Sequence, residues 1–351
     1  MKVARLYDYL DIRIEEEPVP RAGPHEALVR TRVCGICSGD VVPWYIRKKA
    51  PLVFGHEPVG EVVAVGPGVS HVQPGMHVFV HHHAPCLRCR ACQRGEFVQC
   101  PTWRASHIIP GGMAEYFLVP ETNLFGDTLV LPDHVSDEDG ALVEPTACVV
   151  KSLNRAGQVA GASLLIVGLG VMGQLHVVLA KHLGARLVIG TDLIVARCEW
   201  ARGLGADHVI EAAAGDLAQQ VADLTGGEGA EIVIVGPATI EALEIGLRCV
   251  ARGGTVVQFM GTPPEARLPL SMNDFYFREI RLVPSYSCGP LETRAALRHI
   301  ADGVVSASHV VTHRFPLSAA SEAYRVAAQE KTALKTLVTF NDTHAPDDTT
   351  T

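Results

Sequence analysis

SLLIVGLGVMGQLHVVLAKHLGARLVIGTD, residues 163–192, holds two secondary-structure periods with a glycine-rich joint between them. SLLIV is a continuous apolar run, the pattern of a strand buried on both faces. QLHVVLAKHLGA has helical texture, and RLVIGTD returns to a strand that ends on a carboxylate, Asp192. Gly168, Gly170 and Gly173 stand between the first strand and the helix. Three glycines alone are a weak signal, but within strand, turn, helix and strand each has a task. Gly168 permits the tight turn, Gly170 lets a pyrophosphate approach the backbone, and Gly173 lets helix and sheet pack closely. The helix N-terminus, opening at Val171 and Met172, then faces the phosphates with its partial positive charge. The run over residues 164–180 is therefore a Rossmann strand and helix; its glycines, Gln174 and His176 argue against a membrane span.

The alternation continues downstream. ADHVIEA, EIVIVGPA and GGTVVQFMG read as strands separated by helices, which predicts a doubly wound parallel sheet ending near Pro284. Gly236 and Met260, at the ends of two of these strands, join the candidate cofactor contacts. Asp192 can bind both ribose hydroxyls of NAD, and its charge repels the 2′-phosphate of NADP. Arg197 argues the other way, because a nearby guanidinium can pair with that phosphate. With Asp192 intact, the expectation is NAD over NADP, with Arg197 against the adenine or in an ion pair.

Upstream, residues 1–148 read as short alternating strands joined by Pro/Gly turns. They are organised around FGHEPVGEVVAVGPGV, residues 54–69, where His56 and Glu57 precede an alternating Val strand punctuated by Gly60 and Gly66. VCGIC ends at Cys37, a thiolate candidate, while Cys34 reads as a small buried hydrophobe. ALVEPTAC, residues 141–148, places Glu144 in an otherwise apolar helical stretch. Buried alone, that carboxylate would cost several kcal/mol, which a metal or a buried ion pair would offset. Cys, His and carboxylate with one open position is the donor set of a catalytic zinc.

HHHAPCLRCRACQRGEFVQC, residues 81–100, carries Cys86, Cys89, Cys92 and Cys100 with two, two and seven residues between them. Four thiolates on a short loop close a tetrahedron and leave no open position, the signature of a structural zinc. His81, His82 and His83 offer surplus imidazoles; for at least two of them a polar strand end is the simpler reading. The basic run Arg47-Lys48-Lys49 reads as a solvated loop, with attraction for an anionic substrate as the alternative.

At 351 residues the chain can build two domains, each with its own core, and 48% apolar residues fit a compact protein. A net charge of -8 argues against a nucleic-acid partner. The start, Met1-Lys2-Val3-Ala4-Arg5, runs straight into a strand-like segment without a signal-peptide pattern. Four of the ten cysteines are clustered and Cys37 sits in a candidate site, so a reducing cytoplasm is expected. The tail NDTHAPDDTTT is polar and acidic and reads as disordered.

GHEPVGEVVAVGPGV resembles the zinc signature of the medium-chain alcohol dehydrogenases, and VCGIC resembles that family's first catalytic-zinc segment. The similarity covers nearly the whole chain and returns as VTHRFPLSAASEAYRVA, residues 311–327; ALVEPTAC brings it closest to the polyol (sorbitol) and threonine dehydrogenase branch. The resemblance implies an α/β chain with a GroES-like β-rich catalytic domain over 1–148 and 286–340. A Rossmann domain follows over 149–285, and residues 341–351 are a flexible tail.

It further implies a zinc- and NAD-dependent oxidoreductase that interconverts a secondary alcohol, of the polyol class, with its ketone. Two zinc ions per subunit are expected, one in the four-cysteine lobe and one held by Cys37, His56 and Glu144. Glu57 would bind that zinc transiently or hold its water, and Glu57 and Glu144 could exchange roles. Trp44 and Tyr45 are implied pocket walls, although they also read as core, and Tyr286 falls where the family's substrate lid begins. Lys335, in ALKTLVTF, resembles a position that touches the cofactor pyrophosphate, although a lone lysine also reads as a surface charge. Relatives associate through the nucleotide domain, so a homodimer or homotetramer is expected, with no membrane partner.

Two alternatives stand beside this reading: a 3-hydroxy amino acid dehydrogenase of the L-threonine type, and a non-catalytic binding relative. One departure concerns the proton route. Gly39 and Val42 stand where the family usually has a hydroxyl and a histidine, which implies either lost activity or a rerouted proton. A rerouted proton would be taken up by Ser38, by a zinc-bound water held by Glu57 or by a substrate hydroxyl; the Glu57 route is expected, with Ser38 less effective.

Overall fold

The computed structural model describes residues 1–212 and 215–340; the tail read as disordered, residues 341–351, lies outside them. The chain divides into two compact units, Met1–Leu142 with Val311–Thr351, and Val143–Val310.

The first unit is built on two sheets whose strands pair antiparallel, except for one parallel pair, Val311–Pro316 with Lys335–Thr339. Strands β1 (Lys2–Asp8), β2 (Asp11–Glu16) and β4 (Leu52–Val53) form a three-stranded sheet in the order β2-β1-β4. The larger sheet contains β3 (Ala27–Ile36), β5 (Glu57–Val65), β6 (His77–Val80), β7 (Tyr116–Val119), β8 (Thr128–Val130), β15 (Val311–Pro316) and β16 (Lys335–Thr339). Its order is β15-β16-β3-β5-β6-β8, with β7 also paired to β3. Inward residues such as Val29, Val62, Val78 and Phe117 form one core cluster; Val3, Leu6, Phe54 and Tyr324 belong to another.

Register decides where chemistry can gather. Gly35, near the end of β3, lies opposite Glu57 at the start of β5 and opposite Leu337 in β16, while Ile36 faces Thr336. The end of β3 therefore adjoins the beginnings of both neighbouring strands. Cys37, His56, Glu57 and Lys335 are brought to one end of the sheet from three distant parts of the sequence.

The second unit is a six-stranded parallel sheet: β9 (Ser163–Val167), β10 (Leu187–Asp192), β11 (His208–Glu211), β12 (Ala230–Val235), β13 (Val250–Gln258) and β14 (Arg281–Pro284). The order β11-β10-β9-β12-β13-β14 is doubly wound, changing direction between β9 and β12. All five residues of β9 are buried, as its unbroken apolar run requires. Gly168 has φ +88°, and a Cβ at Gly173 would collide with the Gly168 carbonyl, so both glycines are sterically required.

The unit boundaries differ from those read in the sequence. Helix Val143–Ala156 packs on helix Pro290–Ala301, and both belong with the parallel sheet rather than with the antiparallel one. An amphipathic helix declares that it has a buried face but does not name the surface it covers. Among the described residues no helix is long and apolar enough to cross a membrane.

Candidate functional site

At the shared strand end, ligand atoms of Cys37, His56 and Glu57 all lie within 4.8 Å of one another. His56 Nδ1 lies 3.1 Å from Asp40 Oδ2, and Asp40 is itself fixed because its carbonyl accepts from the Tyr324 hydroxyl at 2.6 Å. A carboxylate on one imidazole nitrogen orients the ring and leaves Nε2 for a metal. Asp40 was not singled out in the sequence, although a carboxylate three positions after Cys37, beside an apolar strand end, was a readable signal. Burial pushes the Cys37 thiol up, while His56 works against that rise. Burial also disfavours a charged His56, yet Asp40 and Cys37 outweigh it and hold the imidazole well above its usual range. The donors gathered here are those a zinc ion takes.

Glu57 carries a further partner. Lys335 forms an ion pair with its carboxylate, about 1% of either side chain is exposed, and Lys335 Nζ also donates to the Ile36 carbonyl at 3.1 Å. This corrects the reading of Lys335 as a surface charge: its ammonium is engaged inside the sheet by Glu57, not held out towards solvent. Gly35 makes the pair possible, since a Cβ there would overlap Glu57 Oε2. A carboxylate bound in this way must loosen the pair to accept a proton, which weighs against Glu57 as the main base. Ser38 is exposed in the turn after β3.

The three histidines after β6 have separate roles. His81 is fully buried, with Nδ1 2.8 Å from Asp127 Oδ2, and His83 Nδ1 pairs with the Ser106 carbonyl. His82 is half-buried; its ring centre is 4.8 Å from that of His56, and its Nδ1 is buried without a hydrogen-bond partner. Asn123 Nδ2 fixes the backbone by donating to the carbonyls of His81 at 3.1 Å and His82 at 2.9 Å. Burial pushes His82 well below its usual range and His83 down to about 3.

The four-cysteine lobe is compact. Sγ–Sγ distances are 3.5 Å for Cys89–Cys92 and 3.6 Å for Cys86–Cys100, and all four sulfurs lie within 4.8 Å of one another. Tetrahedral zinc with bonds of about 2.3 Å requires sulfur separations of about 3.8 Å. The backbone amides of Arg88 and Cys89 hold the Cys86 thiol down at about 6. Phe97, Val98 and Trp103 supply a small core beneath the cluster.

The implied pocket aromatics lie on helix Pro43–Arg47, where Trp44 and Tyr45 meet edge to face at 5.6 Å. Lys48 and Lys49 lie over those rings at 5.1 and 4.1 Å while the whole run, Arg47 to Lys49, stays exposed, as a solvated segment should.

In the second unit, Glu144 is buried in the first turn of helix Val143–Ala156 and accepts from Cys148 Sγ at 3.3 Å. Tyr286 is 52% exposed beyond β14, and its carbonyl accepts from Lys151 Nζ at 2.8 Å. Gly168, Gly236 and Met260 follow the carboxyl ends of β9, β12 and β13, and Val171 and Met172 open helix Val171–His182. This end of a parallel sheet, at the change of direction, is where a dinucleotide binds. Asp192 closes β10, its two oxygens accepting from the Leu169 amide at 2.7 Å and the Ile194 amide at 2.8 Å. Arg197 Nη1 stands 4.0 Å from Asp192 Oδ2, at the limit of an ion pair. The same atom would lie 3.7 Å from a Cβ on Gly170, so the guanidinium borders the glycine turn.

Residues 23–132 match the alcohol dehydrogenase GroES-like domain, and residues 171–302 match the zinc-binding dehydrogenase domain. Sorbitol dehydrogenase of Gallus gallus is 32% identical over 326 residues, covering 90% of this chain and 89% of the relative. L-threonine 3-dehydrogenase of Pyrococcus abyssi is 36% identical over 248 residues, or 69% of this chain and 70% of the relative. A solved structure from Sinorhizobium meliloti 1021, assigned as a zinc-binding dehydrogenase and bound to NADP, superposes with TM-score 0.87 at 29% identity, covering 96% of this chain and 98% of that one.

Proposed function

Because this chain belongs to the zinc-dependent medium-chain alcohol dehydrogenase family, we propose that it transfers a hydride between a secondary alcohol of the polyol class and NAD, giving the ketone. The observation that carries this reading is the meeting of Cys37, His56 and Glu57 at one strand end, in a chain that also bears the dinucleotide fingerprint at Gly168, Gly170 and Gly173. Cys37 and His56 are assigned as zinc ligands, with Glu57 as the carboxylate beside them. When bound, zinc would polarise a substrate hydroxyl as a Lewis acid, and NAD would accept the hydride.

The chain's own residues then have defined tasks. Asp40 orients His56, and Lys335 keeps the buried Glu57 carboxylate neutralised and in place. Since that pair opposes protonation of Glu57, we assign the proton's departure to solvent past the exposed Ser38 turn. Trp44 and Tyr45 are assigned as pocket walls, and Tyr286 as part of a substrate lid. In the nucleotide unit, Gly170 leaves room for a pyrophosphate and Asp192 is placed to receive ribose hydroxyls. Asp192 and Arg197 oppose each other over a 2′-phosphate, and NAD preference follows from a full carboxylate against a guanidinium only at the edge of pairing. The NADP in the S. meliloti structure supports the opposite choice for that relative.

A second copy of the chain is the assigned protein partner. β14 is an edge strand, and Met272, Tyr276 and Phe277 nearby are 65%, 73% and 64% exposed. The cytoplasm is the assigned compartment, since the lobe cysteines must stay reduced to bind zinc.

The test is a rate screen of polyols, simple secondary alcohols and L-threonine against both nucleotides. A polyol with NAD should give the highest kcat/KM, and Asp192→Ser should move the NAD-to-NADP ratio by about tenfold or more towards NADP. Fastest turnover of L-threonine would replace the substrate class with 3-hydroxy amino acids. Wild-type preference for NADP would show that Arg197 dominates the site.

A further inference from the structure

Gln174 interrupts the apolar run of helix Val171–His182, yet its side chain is fully buried. Its Nε2 donates to two carbonyls from different elements, Leu169 in the glycine turn at 2.8 Å and Arg197 at 2.9 Å. Both partners are acceptors, so the amide orientation is fixed, with the nitrogen towards them and both of its hydrogens used. Its Oε1 is buried and has no hydrogen-bond partner among the described residues. An apolar side chain of similar size would fill the same space without stranding an oxygen, so the amide's contribution here is its two donated bonds. The Leu169 amide in turn donates to Asp192 Oδ2 at 2.7 Å, so residue 169 is tied to Asp192 by its nitrogen and to Gln174 by its oxygen. Arg197 lies in the first turn of helix Val195–Gly203, and the Ile194 amide just before that helix donates to Asp192 Oδ1 at 2.8 Å. Gln174 therefore bridges the glycine turn and the segment that carries Arg197. From that anchored backbone, Arg197 Nη1 reaches to 4.0 Å from Asp192 Oδ2 and would stand 3.7 Å from a Cβ on Gly170.

Building on the reading of a nicotinamide dinucleotide at this turn, we propose that Gln174 is a positioning residue for nucleotide choice. Its amide holds the Arg197 segment against the glycine turn, so that the guanidinium stays beside Asp192 and is withheld from a 2′-phosphate. Such a phosphate sits where the ribose hydroxyls meet Asp192, so its acceptance depends on whether a guanidinium can turn from the carboxylate to the phosphate. With the segment pinned at Ile194 and at Arg197, that turn is restricted and the repulsion by Asp192 goes unopposed. Specificity is a difference between two affinities, and here it is built by withholding a favourable contact from the wrong ligand. Gln174 touches neither nucleotide in this account; it acts through Arg197.

Adenosine 5′-monophosphate and adenosine 2′,5′-bisphosphate are the adenosine ends of NAD and NADP, so they form the probe pair, with binding to the zinc-loaded full-length protein followed by calorimetry. Wild type should bind the monophosphate more tightly. Gln174→Met, which keeps the length of the side chain and removes both donors, should narrow that preference by about fivefold or more, mainly by tightening the bisphosphate. Gln174→Asn, too short to span both carbonyls, should shift the ratio in the same direction. In an Arg197→Ala background, Gln174→Met should leave the ratio within about twofold, because the side chain it positions is gone. An unchanged ratio in folded Gln174→Met protein would overturn the proposal, as would equal weakening of both ligands or the same shift in the Arg197→Ala background. Failure of both Gln174 variants to fold would overturn it too, making the amide a structural strut alone. A wild-type preference for the bisphosphate would remove the NAD reading, while the shift on Gln174→Met would still read the role of the amide. If wild type binds neither probe, the dinucleotide reading itself fails and this role fails with it.

Discussion

Lys335 and Glu57 place two opposite charges inside the first unit with almost no access to water. Such a pair is weak support for stability as a whole, but removal of one member leaves the other buried and uncompensated. Lys335→Met should therefore cost about 3–5 kcal/mol in denaturant unfolding of the zinc-loaded protein. Adding Glu57→Gln should recover most of that loss, because the stranded charge is gone. A single Lys335→Met variant within about 1 kcal/mol of wild type would show that water or a rearranged partner reaches Glu57. The pair also marks the limit of sequence reading. Cys37, His56 and Glu57 were legible because their types and short-range spacing carry the chemistry. The partnership of Lys335 arises from the β16–β3–β5 register, which no local pattern displays. His82 was likewise visible only as one of three identical letters; hydrogen bonding separates it from its neighbours.

Among the elements, the four-cysteine lobe is the most completely readable from sequence, because its spacing and its geometry express the same tetrahedral requirement. Its own apolar core is small, comprising Phe97, Val98 and Trp103 beside the cysteines. Metal should therefore supply much of its order. Cys89→Ser should remove one zinc per subunit and raise amide exchange chiefly across residues 81–105, with lesser change in the parallel sheet. Retention of both ions, or exchange spread evenly over the chain, would contradict a separate structural site. The parallel strands were equally readable, since burial on both faces leaves an unbroken apolar run. Helices Val143–Ala156 and Pro290–Ala301 were not assigned to their unit, because their packing partner is each other.

For the whole molecule, one unit carries Cys37 and His56 and the other the glycine fingerprint and Asp192. Family membership fixes the fold and the general chemistry, while substrate and nucleotide choice rest on a few side chains. The central claim is that zinc held at Cys37 and His56 is needed for alcohol-dependent NAD reduction. The direct measurement follows NADH formation with a polyol in enzyme carrying two zinc ions per subunit, then in enzyme whose open-site ion has been removed by chelation, and again after zinc is restored. Metal content is counted at each stage, and circular dichroism verifies that the fold persists. The rate should fall to background when the stoichiometry drops from two to one, and return when zinc is resupplied. Unchanged NADH formation in folded enzyme that has lost the ion from Cys37 and His56 would contradict the account.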